Sequence, residues 1–255
     1  MIRTAPATRV RRSRWRRAAA SLACAGLLAL TSAACSSPED PDEGTNGVGE
    51  LPPEEIAERA RRAAASAETV RLSGTVLTQG VTYELDVRLG TEGAAGQVSA
   101  EGTTFELLRI GEELYIRADA AFWEAAELPE ELETDPAETL EGRYVRVPPE
   151  DPAYAEFSGF TDKNTLLDGL LSLQGELEAG DRGEREGVRT IRVEGDEGTG
   201  GAMEVALIGE PYPLRLERGG DAGTVTLNAW GEEFPLTPPD EEQIVDYGEE
   251  VISPE

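Results

Sequence analysis

Residues 81–89 read VTYELDVRL: Val81, Tyr83, Leu85, Val87 and Leu89 alternate strictly with Thr82, Glu84, Asp86 and Arg88. Successive side chains of a strand point to opposite faces, so this stretch has one dry face and one wet face. Val70, Leu72, Val76 and Leu77 precede it, and Gln79-Gly80 between the two runs supplies a hairpin turn. Further strands follow at hairpin spacing over 97–100, 103–110 and 113–117, punctuated by Gly93, Gly96, Gly102 and Gly111. The economical reading is a meander of short antiparallel strands.

Outward from the meander the period changes. Residues 53–68 predict a helix opened by Pro52-Pro53 and Glu54-Glu55, with Ile56, Ala60, Ala63, Ala64 and Ala67 as a narrow stripe. Such small side chains suit a helix lying closely on a sheet, and Glu58, Arg59, Arg61 and Arg62 form its solvated face. Between 118 and 160 five prolines break any long element, and 144–147 is one more short strand. Thr161-Asp162 caps a second helix over 163–173, whose Leu166, Leu167, Leu170, Leu171 and Leu173 make a wide apolar face. A second meander closes the chain: a hairpin of 177–185 with 187–194, then alternation at Met203, Val205 and Leu207, at Leu214 and Leu216, and at Val225, Leu227 and Ala229.

Ahead of the domain, Arg9, Arg11, Arg12, Arg14, Arg16 and Arg17 lead into 17 uncharged residues, Ala18 to Ala34, and then Cys35. A basic run, a short apolar core and small residues before a cut are the grammar of a secretory signal. Cys35 after Ala33-Ala34 resembles the lipobox of bacterial lipoproteins, in which the cysteine becomes the acylated N-terminus. The departure is Ser32, where that motif carries Leu. An uncleaved anchor and a plain signal cut near Ala34 are the alternatives, and Cys24 reads as a passenger in the apolar core. The expected organisation is a signal peptide over 1–34, acylated Cys35 with an acidic tether over 35–52, and one domain over 53–255. Asp40-x-Asp42 in the tether fails as a calcium loop, because Gly44 and Leu51 stand where oxygen ligands are needed.

Composition excludes several functions. The chain holds 23 basic and 51 acidic residues; removing 1–34 takes seven arginines and no acid, leaving 16 against 51, a formal charge of −35. Phosphate backbones are repelled, so nucleic acid is not an expected partner. There is no histidine, which removes His-activated nucleophiles and the commonest metal ligand. A single mature cysteine permits no disulfide and no cysteine-based zinc set. Gly198-Thr199-Gly200-Gly201 precedes no helix and reads as a turn rather than a nucleotide loop. Acid pairs such as Glu112-Glu113 arise from the abundance of acids. No enzyme activity, cofactor or metal is expected.

The order of lipobox, acidic tether, Ala-rich helix, TVRLSGTV strand, GEELYIR strand, Leu-rich helix, EGVRTIRVEGD hairpin and PYPLRLER strand resembles the LppX/LprG-type lipoproteins within the LolA-like superfamily. That resemblance implies an α+β fold, a curved antiparallel half-barrel sheet covered on its concave side by helices. It also implies a hollow for the acyl chains of an envelope lipid or lipoconjugate. Candidate cavity residues are Tyr83, Leu85, Val87, Phe105, Leu107, Leu114, Ile116, Leu167, Leu170 and Leu171, each of which ordinary core packing also explains. Trp123 and Trp230 either rim the hollow or cap the core. The expected protein is a monomer held at the extracytoplasmic membrane face by diacylglyceryl-Cys35. The rival reading keeps the fold but fills the core, making an interaction or sensory module beside another envelope protein.

Overall fold

The structure is a computed structural model that describes residues 42–125 and 139–245. Twelve strands form one open sheet. In chain order they are β1 Thr69–Thr78, β2 Val81–Gly90, β3 Gly93–Ala100, β4 Thr103–Ile110, β5 Glu113–Ala118 and β6 Tyr144–Val147. The second series is β7 Leu177–Arg185, β8 Val188–Gly195, β9 Ala202–Ala206, β10 Pro213–Glu217, β11 Thr224–Asn228 and β12 Ile244–Val245. Across the sheet they lie in the order β12-β6-β5-β4-β3-β2-β1-β11-β10-β9-β8-β7. The two predicted meanders are therefore joined at the middle, where β1 pairs with β11, and every pairing is antiparallel except β12 with β6. Gln79-Gly80, Glu101-Gly102 and Glu186-Gly187 take positive φ at both positions, the backbone of the primed turns whose twist matches that of hairpin strands.

Register sorts the side chains into rows. One inner row runs Val193, Met203, Leu216, Val225, Gly74, Leu85, Val98, Phe105 and Ala118. A parallel inner row is Leu227, Leu72, Val87, Gly96, Leu107, Ile116 and Val145. The outer row between them is Arg192, Glu204, Arg215, Thr226, Ser73, Asp86, Gln97, Glu106, Arg117 and Tyr144, polar on all ten strands. Ion pairs decorate that face: Arg71 with Asp86 at 2.7 Å, Arg185 with Glu204 at 2.6 Å, Arg192 with Glu217 at 2.6 Å, and Arg117 with Glu106. Two inner positions are glycine because neighbouring strands close on them. A Cβ on Gly74 (φ +140°) would stand 2.2 Å from Thr224 O, and one on Gly96 2.3 Å from Asp86 O.

Among the described residues, four helices carry apolar faces to the inner side: α1 Pro53–Ser66, α2 Ala120–Ala125, α3 Pro152–Ser158 and α4 Lys163–Leu170. In α1 the predicted stripe of Ile56, Ala60, Ala63 and Ala64 is buried, and the helix contacts β7, β8, β9 and β10. In α4 the side chain of Asp162 accepts from Thr165 N at 2.7 Å, the cap predicted from sequence. The helix ends at Leu170, short of the predicted 173, and Ser172 Oγ turns back to Asp168 O.

The domain boundary needs correction. Residues 42–51, expected as free tether, are docked on the domain. Asn46 Nδ2 donates to Ala206 O and Gly209 O, Asn46 N donates to Leu207 O at 2.8 Å, Arg182 pairs with Asp42, and Val48 is 2 % exposed. The segment has too few apolar atoms to signal burial, but hydrogen bonds hold it. The last segment also folds back. Gly231 N donates to Thr69 O, Arg143 donates to Glu242 O, and β12 then extends the sheet beside β6.

Replacing Gly74 by alanine is expected to cost about 2 kcal/mol or more, because backbone must move to admit the Cβ. Ser73→Ala on the outer row should stay within about 0.5 kcal/mol. Urea unfolding of the two variants checks the difference.

Candidate hydrophobic site

The ten candidate residues come from two sources, the inner face of β2, β4 and β5 and the covering helix α4. The structure unites them. Leu85, Val87, Phe105, Leu107, Leu114, Ile116, Leu167, Leu170 and Leu171 are all buried in one continuous cluster, and Tyr83 packs against it half-buried. Leu85 and Phe105 share one inner row; Val87, Leu107 and Ile116 share the other. Leu167 and Leu171 reach a groove of about 440 Å³ between α1 and α4, rimmed by Arg61, Asn164, Thr165 and Asp168. Leu170 lies on a separate groove of about 280 Å³ beside Leu173 and Gly200. The seven strand residues line neither groove.

Aromatic rings gather over the first meander. Phe105 of β4 meets Phe122 of α2 at 5.1 Å between centroids and Phe157 of α3 at 5.5 Å; Tyr83 of β2 meets Phe160 at 5.3 Å. Trp123 meets Phe122 edge-on at 4.9 Å and is 1 % exposed, with its Nε1 finding no acceptor among the described residues. Trp123 thus belongs to the core side of the two roles expected for it. Trp230 instead stacks on Tyr212 at 4.8 Å and donates to Pro213 O, half-buried. Sequence reasoning chose Phe105 and Tyr83 by strand alternation but did not join them to Phe122, Phe157 and Phe160. The only available signal was the density of aromatics in a proline-broken stretch.

One buried cation ties the cover together. Lys163, 2 % exposed, donates from Nζ to Ala65 O at 3.1 Å and Ala64 O at 3.4 Å, the carbonyl end of α1. The arrangement satisfies orphan carbonyls and places positive charge at the negative pole of a helix. Burial pulls the ammonium below the usual lysine range, while neighbouring Asp162 opposes that shift. Asp162 is itself held below the usual carboxylate range, chiefly by the backbone N–H of Thr165. Among the described residues no group of three or more Cys, Asp or Glu could hold a metal ion. None of their helices is long and apolar enough to cross a membrane. Cys35 lies outside the described residues.

Two solved structures are similar to this chain, and the first of them shares its architecture. LprF from Mycobacterium bovis matches over 73 % of this chain and 96 % of its own at 16 % identity, with a TM-score of 0.52. The Mycobacterium tuberculosis lipoprotein LppX matches over 72 % and 98 % at 14 % identity, with a TM-score of 0.43. No family model matches the sequence. No curated protein does either. The resemblance read from the sequence holds at the level of fold: the chain is a large, open half-barrel sheet with few helices, as in LprF.

Removing the carboxylate in Asp162→Ala is expected to cost about 1 kcal/mol at neutral pH. A carboxyl whose folded pKa is depressed stabilises above its unfolded value, near 3.9, and loses that contribution as pH falls through the folded one. The melting difference between variant and parent should therefore shrink as pH falls below about 3.9, which a series of thermal melts from pH 7 downward would show.

Proposed function

We propose that this protein is an extracytoplasmic lipoprotein, held to the cell membrane through diacylglyceryl-Cys35, that shelters the acyl part of an envelope lipid or lipoconjugate in its half-barrel. The observation that carries the reading is the pair of unbroken apolar rows across the inner face, closed over the first meander by short helices and loosely angled rings. Burying hydrocarbon there would supply about 0.8 kcal/mol per methylene, with no bond made or broken. The sequence has no histidine, in keeping with a binding protein rather than an enzyme. The fold shared with LprF supports the same reading.

A second reading, a filled-core interaction module, draws on one specific feature. Leu85, Val87, Leu107, Leu114 and Ile116 are each at most 2 % exposed, as packed core residues are.

Two experiments separate these proposals. Native mass spectrometry of the mature chain, with displacement of a fluorescent fatty acid, should reveal bound lipid; a ligand-free protein indifferent to the probe would sink the carrier reading. Tyr83→Glu, at the half-buried edge of the cluster, should leave a carrier folded with at least about tenfold weaker probe binding, whereas a filled core should melt several degrees lower. Anchoring is tested apart from binding: Cys35→Ala should abolish incorporation of a clickable palmitate analogue and release the protein from membranes.

A further inference from the structure

We infer that the C-terminal half of α1, with the docked segment beside it, forms the face that rests on the anionic phospholipid headgroups of the membrane to which the chain is tethered. The inference rests on the anchoring proposed above and adds which surface meets the bilayer.

The number of residues between Cys35 and Asp42 sets the first limit. The first described residue, Asp42, is clamped by Arg182, and Glu43 O accepts from Arg189 at 3.0 Å. Only Ser36 to Pro41 separate it from Cys35. Seven Cα steps span at most about 25 Å when fully extended, while a domain of this size is about 40 Å across. A lipid on Cys35 therefore keeps the Asp42 side of the domain nearest the headgroups.

The surface on that side is built around one ridge. A cleft of about 820 Å³ opens between the docked segment and α1, bounded by Asn46, Val48, Arg59, Arg62, Glu210 and Pro211. The groove with Leu167 and Leu171 lies on the other flank of the helix, and Ala65 lines both. Between the two hollows stands RARRAAAS, the end of α1.

Charge selects the occupant. Arg59, Arg61 and Arg62 are the one place after Cys35 where three basic side chains fall within four residues, and no acid occurs from 59 to 67. Their carboxylate partners, Glu55 and Glu58, lie one turn towards the N-terminus, in pairs whose side chains are 39–62 % exposed. Exposed pairs of this kind are weak and leave guanidinium donors free. Phosphate offers those donors fork-shaped, charge-assisted partners. The mature protein as a whole, at −35, is repelled by an anionic bilayer, so the ridge is the approach that repulsion leaves open. In that pose the groove carrying Leu167 and Leu171 opens at headgroup level, on the path an acyl chain would take between bilayer and half-barrel.

The test uses the mature chain from Cys35 to Glu255, coupled through its single thiol to maleimide-bearing vesicles of phosphatidylcholine alone or mixed with phosphatidylglycerol. Amide hydrogen exchange in 46–51 and 59–66 is expected to slow by about threefold or more on the anionic vesicles only, and to recover in high salt. Arg59→Gln/Arg61→Gln/Arg62→Gln should lose that protection, while the three-Lys counterpart should keep most of it. Should the Gln variant fail to fold, salt reversal on the parent protein decides. Equal exchange on both vesicles, or protection on the outer face of β2 to β5, would overturn the inference. Chemical coupling makes this outcome independent of natural acylation, so a failure of the anchoring proposal is read separately, by palmitate labelling.

Discussion

Strand register is the constraint on which the rest of this structure depends. Side chains alternate with a period of two, so a slip of one residue anywhere in the ladder would exchange the inner rows for the outer one. The inner rows place Leu85, Val98 and Phe105, or Val87, Leu107 and Ile116, against the helical cover. The outer row places Arg192, Glu204, Arg215, Asp86, Glu106 and Arg117 in water. Each fully buried aliphatic side chain contributes about 1.5–3 kcal/mol, and an unpaired charge turned inward would cost several. A slipped sheet is therefore excluded many times over. The outer ion pairs need only be weak, because they select between registers rather than carry the fold.

Where that constraint acts alone, the sequence is readable. VTYELDVRL becomes β2 with Leu85, Val87 and Leu89 buried, and burial fades at Val81 and Tyr83 towards the hairpin tip. Where the ladder gains a residue, the reading fails. Leu214 and Leu216 were expected on one face, but the register shifts between Pro213 and Arg215, so Pro213 and Leu216 are buried and Leu214 is not. A bulge leaves no trace in hydropathy. The docking of 42–51 was missed for another reason. Composition counts apolar atoms, whereas Asn46 anchors the segment through carbonyls more than 150 residues away. The aromatic cluster fell between the two methods, since α2 and α3 are too short to show a helical period.

Scarcity of cations shapes the electrostatics. With far more acids than bases, two arginines of the sheet each serve two carboxylates. Arg192 bridges Glu194 and Glu217, and Arg215 reaches Glu204 and Glu217. The guanidinium of Arg192 is what chiefly holds the Glu217 carboxyl below its usual range, and Arg71 does the same for Asp86. Lys163, the sole lysine of the chain, is spent differently, inside the cover. Its ammonium joins the first residue of α4 to the carbonyl end of α1. Because desolvation already weighs against that charge, its position is explained by the carbonyls it satisfies and not by an ion pair.

The two halves of the cover are made of different materials, and that difference bears on where a hydrocarbon guest fits. Over β7 to β10 lies α1, whose stripe of alanines lets a helix approach a sheet closely and leaves little to displace. Over β2 and β4 lie rings from α2, α3 and the turn after α3, meeting Tyr83 and Phe105 at interplanar angles of 44° to 75°. Tilted rings on short helices are held by a few contacts and rotate or withdraw at modest cost, whereas an alanine-lined helix cannot move without exposing the whole row beneath it. A flexible acyl chain offers the inner rows the same apolar contact that the rings do. If the barrel holds a hydrocarbon guest as proposed, the ring-covered half where Tyr83, Leu85 and Phe105 lie is the half with side chains to displace.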